Sequence, residues 1–218
     1  MNTHKHGDHS GGNEKMLNTF KSEDGKELPI IAGRESPLVT RVPEHGSGFT
    51  FGSINVKALH TPCHTQDSIC WHFTDNTDKT GTPKDAMEQR TKNAVFTGDT
   101  LFSGGCGRFF EGSPAEMNTA LNKTLASLPD DTRIYPGHEY TKSNAKFGVS
   151  VSDKPEVKDL LDYSTNNEVT AGRWTMAEEK KHNVFMMLQD EEIRSKTQGK
   201  DDNEVMGKLR EMKNNFRG

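Results

Sequence analysis

Apolar residues along this chain come in short runs. Residues 54–60 (INVKALH) alternate apolar and polar positions, which predicts a half-buried strand. Residues 69–73 (ICWHF), 94–97 (AVFT) and 132–135 (TRIY) are β-branched or aromatic runs bounded by turn residues, the last closed by Pro136 and Gly137. Between the second and third lies a stretch, 74–92, rich in Asp, Asn, Thr, Lys and Gly, which reads as a solvated surface insertion joining two strands. Ser113-Pro114-Ala115-Glu116 opens a helix: Ser113 as N-cap, Pro114 at the first helical position and Glu116 completing a capping box. Met117, Leu121, Leu125 and Leu128 supply its apolar stripe. Beyond Tyr140 the pattern changes to candidate helices at 154–163, 176–181 and 203–216, with no strand among them. The expected division is an α/β unit over 1–141 and a helical unit over 142–218.

The composition narrows the class. The chain has 218 residues, 30% hydrophobic and 28% charged, and Leu, Ile, Val and Phe together make up under a fifth of it. So low a share points to disorder only when the net charge is large. Here 28 basic residues stand against 32 acidic ones, leaving −4, so the chain is neither a polyelectrolyte tail nor a nucleic-acid binder by charge. The expectation is a folded but apolar-poor protein. No run approaches the roughly 18 apolar residues of a membrane helix, and the opening residues form no apolar signal segment. Three cysteines, Cys63, Cys70 and Cys106, form an odd and sparse set that fits free thiols in a reducing compartment. A cytoplasmic location is expected, or a mitochondrial one if an address segment precedes Met1.

Residues 3–9 read Thr-His-Lys-His-Gly-Asp-His. Imidazole nitrogen and carboxylate oxygen both bind zinc, at roughly 2.0–2.2 Å. One loop can direct His4 and His6 to one ion, and Asp8 and His9 to a second. The bland alternative is a basic N-terminal cluster or a tag remnant. A tag is an unbroken histidine run, however, whereas Asp8 interrupts this one and Ser10-Gly11-Gly12-Asn13 continues it as a loop-to-helix turn. Partners are then needed further along. His64 comes shortly after the 54–60 run, Asp99 ends the 94–97 run and His138 closes the 132–135 run, each near a glycine or proline. That is where a rigid scaffold presents side chains at its rim. Singly, either histidine reads as an ordinary hydrogen-bonded histidine and the aspartate as a turn residue. After the opening cluster, the three together read as ligands.

These motifs resemble those of the metallo-β-lactamase-fold hydrolases, with the T-H-x-H-x-D-H signature carried by His4, His6, Asp8 and His9. More narrowly the chain resembles glyoxalase II, hydroxyacylglutathione hydrolase of the fungal kind, through TGDTLF at 97–102, GCGRFFEG at 105–112 and PGHEYT at 136–141. The resemblance implies an αββα sandwich followed by a helical substrate-binding domain. It places His4, His6 and His64 on one divalent ion and Asp8, His9 and His138 on the other, with Asp99 bridging. Zinc is the expected metal, with iron and manganese as alternatives for mixed nitrogen and oxygen donors. The implied reaction is hydrolysis of S-D-lactoylglutathione to D-lactate and glutathione by a hydroxide held between the two ions. Asp99 and Asp8 are the expected catalytic carboxylates, Asp8 first as a ligand and secondly as a proton carrier. A thiolate leaves readily, so no strong general acid is required.

Glutathione carries two carboxylates, so its site should present fixed cations. The resemblance assigns substrate contacts to Arg108 and Tyr140, and the glycine carboxylate to Arg210 and Lys213. Their (i, i+3) spacing puts the last two on one helix face; without the resemblance they read as an ordinary solvated helix surface. Phe110 stands where some relatives have tyrosine, which removes one hydroxyl contact. His45, His60, His72 and His182 match no ligand position and are expected to be structural or surface residues. The three cysteines lack paired zinc-site spacing and are expected to be small buried fillers. The run Val184, Phe185, Met186, Met187 and Leu188 is expected to be core.

Members of that family carry several strands ahead of the signature, whereas three residues precede His4 here. The expectation is an N-terminally shortened form with its first strands missing, from an alternative start, an incomplete gene model or a degraded copy, and with weak support for four of the ligands. Three readings compete. The first is an active hydrolase of a small-molecule glutathione thioester. The second is an impaired or inactive metal-binding remnant with an exposed sheet edge. The third is another enzyme of this fold, such as a mononuclear iron persulfide dioxygenase. The complete ligand set and the basic pair at Arg210 and Lys213 argue against the third. No nucleic-acid or membrane partner is expected, and the sequence does not specify the oligomeric state.

Overall fold

The period-two runs build a sheet. In the computed structural model, which describes residues 1–20, 25, 27–75 and 93–218, the strands are β1 (Gly48–Phe51), β2 (Ile54–His60), β3 (Ile69–Asp75), β4 (Asn93–Gly98), β5 (Leu101–Phe102), β6 (Gly105–Cys106) and β7 (Arg133–Pro136). Five of them form one sheet in the order β1-β2-β3-β4-β7, antiparallel except for the parallel β4–β7 pair, and β5 and β6 form a separate hairpin. Of the expected insertion, Thr74 and Asp75 belong to β3, and the remainder, 76–92, lies outside the described residues.

Alternation along the strands sorts their side chains between two faces. Val56 and Ala58 of β2 and Ile69 and Trp71 of β3 face one side, where Ile31 and Phe49 join them. Leu59, Cys70, Val95 and Ile134 face the other. The helices are α1 (Gly7–Ser10), α2 (Asn13–Thr19), α3 (Pro114–Thr119), α4 (Thr141–Val151), α5 (Pro155–Asn166), α6 (Met176–His182), α7 (Glu191–Thr197) and α8 (Asp202–Asn215), and of these α3, α4, α6, α7 and α8 contribute to the core on that second face. Among the described residues no helix is long and apolar enough to cross a membrane.

At α3 the capping box forms as expected: Ser113 Oγ accepts from Glu116 N–H and the Glu116 carboxylate accepts from Ser113 N–H. The stripe that follows has a wider turn than expected, a π-helical stretch over Ala120–Leu125 in which Ala126 N–H reaches Leu121 O at 2.9 Å. A step of four residues overshoots an α-helical turn by about 40°. The wide turn cancels that drift, and Met117, Leu121 and Leu125 are all fully buried.

The helical segment is fused to the sheet. One buried cluster runs from Leu59, Val95 and Ile134 of the strands through Leu121 to Phe147, Val205 and Leu209 of α4 and α8. The three cysteines are free and buried, and Val184, Phe185 and Leu188 lie in this core, as expected. Elements absent from the sequence reading are α1, β1, the β5–β6 hairpin, α4 and α7. Leu121→Ala should lower unfolding stability in urea by about 2–5 kcal/mol, whereas Leu128→Ala, at a half-buried position, should cost under half as much.

Candidate metal centre

The loop bearing the opening histidines is seated by backbone bonds. Ile69 N–H donates to Thr3 O at 2.7 Å, so residues 2–3 run along the start of β3. Trp71 Nε1 donates to Asn2 O at 2.9 Å, Asn2 N–H to Ile31 O at 3.1 Å, and Asn2 Nδ2 to His9 O at 2.9 Å. Lys5 N–H donates to the buried Asp67 at 3.3 Å, while Lys5 Nζ pairs with Glu35 and, at 2.7 Å, with Glu111. The weak support expected for this loop is therefore not what the structure shows. His64 follows β2, Asp99 follows β4 directly and His138 follows β7. Gly137 lets the β7 end approach closely: a Cβ there would lie 2.5 Å from Asp99 Oδ1 and 2.8 Å from the His9 ring.

All seven side chains named from the sequence meet at this end of the sheet. His6 Nδ1 lies 3.1 Å from His4 Nε2 and 3.2 Å from His64 Nε2. His138 Nε2 lies 3.1 Å from His9 Nε2 and 3.2 Å from Asp8 Oδ2. Asp99 joins the two groups, its Oδ2 standing 3.5 Å from both His64 Nε2 and His138 Nε2. Among the described residues three overlapping sets could each hold an ion: His4, His6 and His64; His4, His9 and Asp99; Asp8, His9 and His138.

Proton bookkeeping shows that these donors suit a cation. His64 Nδ1 faces Arg108 O at 3.0 Å, and a carbonyl can only accept, so the proton sits there and His64 Nε2 points a bare lone pair inward. His6 Nδ1 faces both His64 Nε2 and His4 Nε2 and can donate fully to only one. Asp99 Oδ1 is buried and pairs with His9 Nε2 at 3.3 Å. Nitrogens bound tetrahedrally to zinc stand about 3.3 Å apart, close to the separations here. Burial, then the charge of His9, pushes His4 down to about 3, so it is a neutral ligand-form imidazole at neutral pH. Burial likewise lowers His64. For Asp99, burial acts upward but is outweighed by the His9 hydrogen bond and the charges of His64 and His138, so the carboxyl sits below its ordinary value. His9 is raised by its hydrogen bond to Asp99.

A cavity of about 450 Å³ opens from this centre, with His64 and Asp99 at one end and Arg108, Phe110, Tyr140, Arg210 and Lys213 among its other walls. Arg210 is buried, donates from Nη1 to Cys106 O at 3.0 Å, and has its Nε unpartnered. Lys213 Nζ donates to Ser143 O at 2.6 Å and Ser143 Oγ at 2.9 Å. Burial, then the neighbouring Arg210, lowers Lys213 to about 8. Tyr140 stacks on His138 with centroids 5.0 Å apart, and Phe110 leans on His64 at 5.1 Å.

Comparison with known proteins identifies the family and the fold. A family model described as the hydroxyacylglutathione hydrolase C-terminus matches residues 139–216. The chain is 47% identical over 214 residues to a probable hydroxyacylglutathione hydrolase, glo2, of Schizosaccharomyces pombe, an overlap covering 98% of this chain and 76% of that protein. The chain belongs to the hydroxyacylglutathione hydrolase family. Solved structures place the fold. The crystal structure of ETHE1 from Myxococcus xanthus aligns with TM-score 0.58 at 24% identity, over 95% of this chain and 65% of that one. The B3 metallo-β-lactamase BLEG-1 aligns with TM-score 0.51 at 18% identity, over 85% and 75%. The fold is that of the metallo-β-lactamases, as expected.

The family's centre has supports here that the sequence reading passed over. Asp67 accepts from Lys5 N–H, Thr65 Oγ1 and Ser36 Oγ. Glu139 accepts from Thr141 Oγ1, Thr170 Oγ1, Thr170 N–H and Ala171 N–H, tying the loop after His138 to the segment ahead of α6. Both stand within three residues of a candidate ligand, and that adjacency was the available signal. His45, His60, His72 and His182 take no part in the centre, as expected. Metal analysis of purified, zinc-loaded protein should find about two ions per chain, about one after His138→Ala, and less than about one after Asp99→Ala, which touches both groups.

Proposed function

We propose that this chain hydrolyses S-D-lactoylglutathione to D-lactate and glutathione. The observation that carries this is the shared cavity, with metal-fit donors at one end and Arg210 and Lys213 at the other. His4, His6 and His64 are proposed for one ion, Asp8, His9 and His138 for the second, and Asp99 for both. Zinc is proposed, with iron and manganese as alternatives for the same donors. Ions in these places would lower the pKa of a water toward neutral and polarise the thioester carbonyl. The protein's own side chains supply the rest. Arg210 and Lys213 take the glycine carboxylate through charge-assisted bonds. Arg108, exposed at the mouth, meets the substrate's remaining charge, and Tyr140 and Phe110 wall the thioester against His138 and His64. Asp8 is exposed at the rim. Burial acts upward on it, but its own backbone and the charges of His9 and His138 hold it below the ordinary value, so it is a carboxylate that can carry a proton outward. The leaving thiolate needs no acid partner.

On this reading residues 1–141 carry the hydrolytic centre and 142–218 bind the substrate, the two sharing one core. The three free cysteines support a cytoplasmic location. The remnant and dioxygenase readings gain no support from a centre in which all seven donors converge.

Two measurements test this. Thioester cleavage followed spectroscopically should be abolished by Asp99→Ala, while Arg210→Ala raises KM at least about tenfold with little change in kcat; equal effects of both on KM alone would contradict the roles. Lys213 is charged below about 8 and neutral above, so carboxylate binding is strongest on the acid side. The kcat/KM profile, which reports the free enzyme, should therefore fall as pH rises through about 8. Lys213→Met should lower kcat/KM below that pH and remove the fall.

A further inference from the structure

The turn between β5 and β6 runs deep into the helical half of the molecule. Gly104 sits there at φ +66°, and a Cβ would lie 2.5 Å from Leu160 Cδ2. Backbone polar groups so enclosed need partners, and three side chains supply them. Glu179 Oε2 accepts from Gly104 N–H at 3.0 Å. Asn183 Nδ2 donates to Phe102 O at 3.2 Å, to Gly105 O at 3.0 Å and to Glu179 Oε2 at 3.0 Å. Asn144 Nδ2 donates to Ser103 O at 3.2 Å. Glu179 is 0% exposed, and its other oxygen faces His182 Nε2 at 3.2 Å. A carboxylate removed entirely from water is costly unless well held, and no step of the proposed hydrolysis uses this one.

The chain leaving the same turn delivers two carbonyls to the active site, one from Cys106 at the end of β6 and one from Arg108 two residues past it. Cys106 O receives Arg210 Nη1 at 3.0 Å, and Arg108 O faces His64 Nδ1 at 3.0 Å. A shift of the hairpin therefore moves a cation of the substrate cavity and an imidazole of the metal centre together. We propose that Glu179 and Asn183 are positioning residues for the active site, anchoring the β5–β6 turn so that the outgoing strand holds Arg210 and His64 in their working places. The inference rests on the hydrolase reading for its kinetic arm. Neither residue touches the substrate cavity; both act through the hairpin.

The test compares wild type, Glu179→Ala, Glu179→Asp, Glu179→Gln and Asn183→Ser by KM and kcat for S-D-lactoylglutathione, calorimetric affinity for glutathione, zinc affinity, and urea midpoint. Glu179→Ala, Glu179→Asp and Asn183→Ser should each weaken glutathione binding and raise KM about tenfold, the scale of one buried hydrogen bond lost. Zinc affinity should fall about tenfold as His64 loses its orientation. Glu179→Gln keeps an oxygen for Gly104 and Asn183 and should stay within about twofold of wild type in all four. A residue serving stability alone would lower the urea midpoint and leave KM, glutathione affinity and zinc affinity of the folded protein unchanged, and that result overturns the proposal. Should Glu179→Ala not fold, Glu179→Asp retains the charge while withdrawing the oxygen and is read the same way. Failure of every one of these variants to fold would also overturn it. A wild type that does not cleave the thioester defeats the hydrolase reading instead, and the positioning role is then judged on zinc and glutathione affinity.

Discussion

Lone pairs facing lone pairs set the terms for this molecule. His64 Nε2 has no proton to offer, because its Nδ1 gives one to Arg108 O. Two nitrogens converge on His6 Nδ1 within 3.2 Å, and Asp99 brings a carboxylate oxygen within 3.5 Å of histidines in both groups. Protons could neutralise such crowding in water. Here burial opposes them, most plainly at His4, pushed down to about 3. At His4 and His64 the place resists protons while Asp99 favours positive charge, and divalent cations meet both conditions.

Such a cluster tolerates little movement, and the fold supplies rigidity from several directions. Seven donors arrive on four separate segments, each leaving or abutting the same end of the sheet. The first segment is joined to β3 through Thr3, pinned at Lys5 by Asp67, and closed by Ser10 Oγ on the carbonyls of Lys5 and His6. The last is brought close by Gly137 and tied back through Glu139. Depth varies across the centre. His4 and His64 are buried, whereas Asp8 is exposed, so the second group forms the open face of the site.

What was legible in the sequence follows from how locally each feature is encoded. Strand β2 declares itself by alternation, and β3 and β4 as short β-branched and aromatic runs between turn residues; β3 buries Ile69, Cys70 and Trp71 in succession because both of its faces are covered. Helix α3 declares itself through Ser113 and Glu116, and an equal signal at Thr175 and Glu178 for α6 marks that start. By contrast α4 has no side-chain cap at Tyr140, and Gly148 lies within it; its helicity comes from packing Phe147 and Val151 into the common core. The two-residue strands β5 and β6 are too short to show any period. The metal motif is legible because four of its donors fall within six positions. Asp67 and Glu179 look like ordinary surface acids in sequence, since what buries them is contact with Lys5, 62 residues away, and Gly104, 75 residues away.

The cavity presents opposite electrostatic character in two parts of its lining. At His64 and Asp99 it offers lone pairs and a carboxylate. Elsewhere on its walls, Arg210 and Lys213 stand on one face of α8 and donate to Cys106 O and to Ser143 O and Oγ, with no acid paired to either among the described residues. Their mutual repulsion and their burial show in the lowered Lys213. The aromatic rings of Phe147, Phe185 and Phe216 offset part of that charge without neutralising it. An anionic ligand therefore enters a site whose cations are already desolvated and fixed, so less of its binding energy is lost to rearrangement. On the proposed hydrolase reading, a carboxylate held at Arg210 and Lys213 would leave the rest of its molecule in the cavity they share with His64 and Asp99. Burial of these charges, costly for the fold, leaves them fixed ahead of any ligand.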